Sequence, residues 1–98
     1  MTNTTDTVTQ KYLMPDTFLD KDIPATTRQH LYEYLTNGTL PGTFLYAVLT
    51  NNLAEAALKA DSTNRHLLSE YVLWLFDNAP ENSWGSEETV KRWKGVTQ

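Results

Sequence analysis

Cysteine is absent from the 98 residues of this chain, which excludes a disulfide framework, a thiolate metal site and a cysteine nucleophile. Also absent is any apolar run approaching the roughly 20 residues that a membrane-spanning helix needs. The N-terminal sequence MTNTTDTVTQ has neither the basic nor the apolar region of a secretory signal peptide. We therefore expect a cytoplasmic protein that does not enter a membrane.

Glycine and basic residues are also scarce. The four glycines fall at the ends of predicted helices and form no phosphate-binding loop. Eight basic residues are outnumbered by twelve acidic ones, which gives a net charge of −4 at pH 7. A dedicated nucleic-acid-binding protein usually carries a basic surface, so this charge argues against that function.

Signatures of catalysis and metal binding are missing as well. The only histidines, His30 and His66, lie on different predicted helices and do not supply the converging ligands of a metal site. Ser86 follows a glycine at a helix start, where a capping role explains it, and no nucleophile elbow surrounds it. We expect no enzymatic activity, no catalytic residue, no metal and no cofactor.

The apolar residues that are present recur at helical spacing. They predict an all-α protein, a small bundle of four or five short helices with a flexible N-terminal lead. The lead covers residues 1–22, and the helical domain covers residues 23–98. Residues 1–10 are too polar to offset the entropy lost on ordering. Residues 11–22 contain several apolar side chains, so this stretch is either an arm packed on the domain or a docking segment.

A helix that starts at Thr43 is predicted to break at Asn51 and Asn52. Continuing it would place Glu55 and Lys59 on its buried face. Asn52 is expected to cap the next helix, with Glu55 at the third position in the manner of a capping box.

The most apolar predicted helix begins near Asp61 or Ser62 and ends before Pro80, and we expect it at the centre of the fold. Its buried arc contains Leu67, Leu68, Tyr71, Val72, Trp74, Leu75 and Phe76. Glu70 is expected in solvent. Leu73 lies off the arc, so it either packs under the N-terminal arm or faces a partner, including a second copy of the chain.

Three motifs resemble a family of small bacteriophage and prophage proteins. They are a Phe-Leu-x-Ala-Val-Leu-x-Asn core at residues 44–51, an Ala-Asp-x-x-Asn step at residues 60–64, and a Trp-Gly-Ser sequence at residues 84–86. The resemblance extends from Ile23 onward, and the preceding lead departs from shorter members of the family. It implies a phage origin and a compact helical fold. It transfers no active site, because the family has no assigned biochemical activity.

The sequence thus favours a non-enzymatic phage accessory protein that binds a host protein in the host cytoplasm and modulates or inhibits it. Host takeover and inhibition of a host defence are the expected purposes. Aromatic residues make up 11% of the chain, and such side chains are favoured at protein interfaces. The predicted partner-binding residues are Leu73, Tyr32, Tyr46 and Trp93. A homodimer is the other association that these residues suggest.

The basic cluster of Lys91, Arg92 and Lys94 supports an alternative function. A small nucleic-acid-associated regulator would contact phosphates through this C-terminal helix. In the structural interpretation, Glu87 and Glu88 pair with Lys91 and Arg92 four residues later. The acidic start and basic end of the helix also complement its dipole.

Overall fold

The computed structural model describes residues 10–97, in which it contains six α-helices, a two-stranded hairpin and two 3-10 turns. The antiparallel hairpin pairs β1 (Thr17–Phe18) with β2 (Lys21–Asp22), and the 3-10 turns span Gln10–Tyr12 and Glu81–Ser83. The helices are α1 (Ala25–Asn37), α2 (Thr43–Leu49), α3 (Leu53–Lys59), α4 (Ser62–His66), α5 (Leu68–Asn78) and α6 (Glu87–Arg92). The predicted small helical bundle is confirmed, and the short hairpin is an addition to it.

Helices α2 and α3 are separated where the sequence predicts a break. Asn51 adopts a left-handed backbone with a φ of 62°, and the Asn52 side chain accepts a hydrogen bond from the Glu55 amide at 3.2 Å. The Asn52 amide donates to the Ala47 carbonyl at 2.8 Å. It is therefore not available to the Glu55 side chain, and the predicted capping box is only half formed.

The single long helix predicted from residue 61 or 62 to Pro80 is two helices, α4 and α5, which meet at Leu67. Asp61 caps α4 by accepting a hydrogen bond from the Asn64 amide at 2.8 Å, as its place at the helix start predicts. The Leu67 amide bonds to the Asn64 carbonyl at 3.1 Å, a tighter 3-10 turn. The Tyr71 amide then bonds to the Leu67 carbonyl at 3.0 Å, so the interruption is confined to one residue.

A single hydrophobic core joins α1, α2, α3, α5 and α6. Its buried members are Met14, Ile23, Leu31, Tyr34, Leu35, Leu45, Ala47, Val48, Leu49, Ala56, Leu67, Tyr71, Trp74, Leu75 and Val90. The Tyr34 hydroxyl donates to the Ser83 carbonyl at 2.7 Å, and burial raises the pKa of this phenol.

The segment before α1 packs onto this core. Met14 is fully buried, and Tyr12 and Phe18 lie half-buried against the core. The Ile23 amide donates to the Asp16 carbonyl at 2.8 Å, which closes the hairpin. Of the two interpretations of residues 11–22, the packed arm is the one that the structure supports. The rest of the predicted flexible lead, residues 1–9, lies outside the described residues.

The C-terminal segment closes over the end of α1. The Trp93 indole donates to the Tyr34 carbonyl at 2.9 Å. The Val96 amide donates to the Leu35 carbonyl at 3.0 Å. Leu35 lies in the last turn of α1, where backbone carbonyls have no hydrogen-bond partner within the helix. Gly95 has a φ of 97°, and a Cβ there would lie 2.4 Å from a carbonyl oxygen of α1. This close approach therefore requires glycine.

Candidate protein-docking surface

Helix α5 is apolar around most of its circumference, and the core covers one side of it. This inner side carries Tyr71, Trp74 and Leu75, which are buried. The Tyr71 ring packs edge-on against Phe44 with the ring centroids 5.9 Å apart, and its hydroxyl donates to Asn64 Oδ1 at 2.5 Å. These contacts lie on the side of α5 that faces inward.

The opposite side of α5 is apolar and open to solvent. Val72, Leu73 and Phe76 are 38%, 47% and 76% exposed, and Leu68 is half-buried. At about 100° per residue, these four side chains share one side of the helix, with Ser69 among them. We call Leu68, Val72, Leu73 and Phe76 the α5 outer face. A helix that is apolar all round is normally covered on every side.

Leu53, the first residue of α3, extends this apolar surface beyond α5. It is 69% exposed, and with Leu68 and Val72 it lines a shallow depression of about 30 Å³. Buried Val48 and Ala56 also line the depression. These exposed side chains form a contiguous apolar surface, and the largest such surface on a monomer is often functional.

The structure corrects three assignments in α5. The sequence predicts Val72 and Phe76 in the core and Glu70 in solvent, and all three predictions are wrong. Glu70 is buried, and its Oε2 lies 3.0 Å from the Lys21 Nζ, which reaches in from β2. Lys21 also donates to the His66 carbonyl at 3.3 Å. The hairpin therefore supplies the cation that pairs with the carboxylate on the inner side of α5, while the second apolar side of the helix faces outward.

Glu70 is stabilised as a carboxylate despite its burial. Burial alone would raise its pKa, but hydrogen bonds from Lys21, from its own backbone amide and from Ser69, with the charge of Lys21, lower the pKa below its usual value. The Ser69 hydroxyl donates to Glu70 Oε1 at 3.2 Å. The carboxylate therefore ties the hairpin to α5.

The four predicted partner-binding residues do not form one surface. Tyr46 and Trp93 are half-buried and line one groove of about 460 Å³. The lining of that groove includes neither Leu73 nor Tyr32. Tyr32 is half-buried in α1, and the Trp93 indole is engaged by the Tyr34 carbonyl. Of the four, Leu73 alone belongs to the α5 outer face.

Sequence reasoning missed Val72, Phe76 and Leu53 as parts of an exposed surface. A signal for the first two is present, because α5 has the sequence LSEYVLWLFDN and seven of its 11 residues are apolar. That number exceeds what a helix buried on one side requires, which is three to four per two turns. Leu53 carries no comparable signal, since its exposure depends on how α3 lies beside α5.

The basic C-terminal helix is largely compensated. Lys91 Nζ lies 3.9 Å from Glu87 Oε1, and Arg92 Nη2 lies 2.6 Å from Glu88 Oε1. These are the two pairs that the sequence predicts. Both pairs are exposed and contribute little to stability. They place a carboxylate beside two of the three cations that the nucleic-acid alternative requires.

A second groove, of about 610 Å³, has a lining that includes Tyr46, Glu55, Lys59 and Glu87. Within residues 10–97, no group of three or more His, Cys, Asp or Glu residues is placed to hold a metal ion. No helix in the same range is long and apolar enough to cross a membrane.

No protein-family model, curated protein or solved structure matches this chain. The resemblance to phage proteins therefore stays a prediction from three sequence motifs. Any function has to be argued from the surface itself.

Proposed function

We propose that this chain is a non-enzymatic phage accessory protein that binds a host protein in the bacterial cytoplasm and modulates or inhibits it. The observation that carries the proposal is the α5 outer face, where Val72, Leu73 and Phe76 leave one side of a strongly apolar helix in solvent. The phage origin and the host partner are supported by the three sequence motifs.

The α5 outer face has the composition expected at the centre of a protein interface. Such a centre contains large apolar and aromatic anchors and few charges, and a polar rim surrounds it. Phe76 is the aromatic anchor, and none of the four side chains of the face carries a charge. Covering this apolar surface stabilises a complex by about 25 cal/mol per Å² before the entropic cost of association.

The test is affinity capture from a bacterial host lysate with the tagged protein and three variants. Phe76→Asp and Leu73→Asp place a charge within the α5 outer face. Leu58→Asp is the matched control, because Leu58 is 74% exposed on α3 and Phe76 is 76% exposed. We expect a host protein that wild type and the control capture and that both α5 variants lose. Circular dichroism establishes that all variants remain folded.

Two results would reject the proposal. Capture that survives both α5 variants would place the interface elsewhere on the molecule. Capture that disappears after nuclease treatment, or weakens steeply with salt, would instead favour the regulator that contacts nucleic acid, because phosphate contacts depend strongly on salt.

A further inference from the structure

The α5 outer face has opposite charges at its two ends. Arg65, in the last turn of α4, precedes the first residue of the face, Leu68, and Asp77 and Glu81 follow its last residue, Phe76. All three side chains are exposed. Arg65 is held in place by hydrogen bonds of 3.2 and 2.9 Å to two carbonyls at the C-terminal end of α3. Neither Asp77 nor Glu81 takes part in an ion pair within the described residues.

This polarity selects one arrangement of two copies. In an antiparallel pair about a twofold axis, each Arg65 approaches Asp77 and Glu81 of the other copy, and a parallel pair would bring like charges together. The dipoles of two antiparallel helices are also opposed. The 11 residues of α5 span about 16 Å, short enough for both ends to stay in contact at a shallow crossing angle.

A register centred between Val72 and Leu73 also fits the shapes of the side chains. In that register Phe76 of one copy lies opposite Ser69 of the other, so the largest side chain of the face meets the smallest. Close-packed interfaces require such interdigitation of large and small residues.

The exposed apolar side chains are of the kind that a stable dimer buries. A standard interface buries about 800 Å² on each partner, of which somewhat more than half is apolar. On each copy Leu53, Leu73 and Phe76, which are 69%, 47% and 76% exposed, contribute to such a surface. A chain of 98 residues also has a small core, and association is a common source of additional stability.

We propose that, in the absence of a host protein, a second copy of this chain covers the α5 outer face as an antiparallel twofold dimer. This inference rests on the proposed function, because the second copy and the host protein compete for the same surface. The dimer is then the resting form, and binding of the host protein requires its dissociation.

The first test is the mass in solution, measured by sedimentation equilibrium over a range of concentrations. Wild type is expected at twice the 11.2 kDa of one chain. Phe76→Asp is expected at the mass of one chain, and the control Leu58→Asp at twice that mass. A wild type that stays monomeric, or a Phe76→Asp variant that stays dimeric, overturns the inference.

The second test exploits the absence of cysteine. Val72→Cys should form a disulfide between copies, because residues beside the axis come within the Cα separation of 4.4–6.8 Å that a disulfide requires. Ser69→Cys should not, because the register displaces the two copies of residue 69 by seven residues, about 10 Å along the axis. Ready cross-linking of Ser69→Cys would indicate parallel pairing and overturn the antiparallel arrangement.

Asp77→Arg distinguishes failure of the dimer from failure of the proposed function. It preserves the apolar side chains and repels Arg65 of the second copy, so the dissociation constant of the dimer should rise several-fold. A monomeric wild type that captures a host protein through Phe76 rejects the dimer alone. If Phe76→Asp dissociates the dimer and Asp77→Arg captures no protein, the proposed function alone is rejected.

Discussion

Glu70 is the one carboxylate that the described part of the chain buries, and it lies on the inner side of α5 with Tyr71 and Trp74. A buried charge without a partner is strongly destabilising, whereas a paired one is tolerated. Lys21 is the partner of Glu70. Its Nζ lies 3.0 Å from the carboxylate, and its side chain stays 48% exposed. The lysine thus neutralises the buried carboxylate while remaining largely hydrated.

This pairing predicts an acid-dependent loss of stability. The pKa of Glu70 in the folded chain lies below the ordinary value of 4.5. Its contribution is therefore complete above that ordinary value and is lost as the pH falls through the folded-state pKa. Glu70→Gln should be less stable than wild type at neutral pH, and the difference should shrink below about pH 4.5. Urea unfolding of both proteins between neutral pH and acid pH measures this difference in the free energy of unfolding. A difference that is independent of pH would show that the charge of Glu70 does not stabilise the fold.

At the scale of the helices, what the sequence predicts well is local. Asn52, Asp61 and Ser86 each accept a hydrogen bond from the amide three residues later, as helix caps do. Each signal lies beside the helix it starts, so it can be read without knowing the fold. The ion pairs of α6 are predictable for the same reason, since both partners lie one turn apart.

The orientation of α5 could not be predicted in the same way. Periodicity identifies an apolar side of a helix, but it does not choose between two apolar sides of the same helix. The choice involves contacts with distant parts of the chain, among them the pair of Glu70 with Lys21 of the hairpin and the packing of Tyr71 on Phe44. For this reason the sequence identifies Leu73 as a candidate interface residue but predicts Phe76 in the core. The aromatic residues predicted beside Leu73 lie on other parts of the molecule.

The cap at the start of α3 provides the test at this scale. Asn52→Ala removes the acceptor of the Glu55 amide, which should lower the free energy of unfolding by about 0.5–2 kcal/mol. Urea denaturation measures the change. Asn82→Ala is the control, because Asn82 is exposed and a surface substitution of this kind usually changes stability by less than about 0.5 kcal/mol. Equal stability of the two variants would mean that the Asn52 cap contributes nothing.

In the whole molecule, both ends of the described chain stabilise the bundle between them. At one end Met14 inserts into the core and Lys21 pairs with Glu70. At the other end the segment that follows α6 bonds to the last carbonyls of α1. A core of this size has little reserve, because domains are stable by only about 5–15 kcal/mol.

From these contacts we expect that residues 23–98, which the sequence predicts as the helical domain, are not stable by themselves. Removing the arm empties the site of Met14, and a large core side chain is worth about 2–5 kcal/mol by itself. It also leaves Glu70 buried without Lys21, and losing one partner of a buried ion pair destabilises the fold further.

Thermal unfolding followed by circular dichroism should find the 23–98 chain unfolded, or with a melting temperature far below that of the full-length protein. A chain that begins at Gln10 retains every contact described above and is the reference. If the 23–98 chain melts with the reference and still captures its partner, the arm is dispensable. If it melts with the reference and loses the partner, residues 11–22 belong to the docking surface.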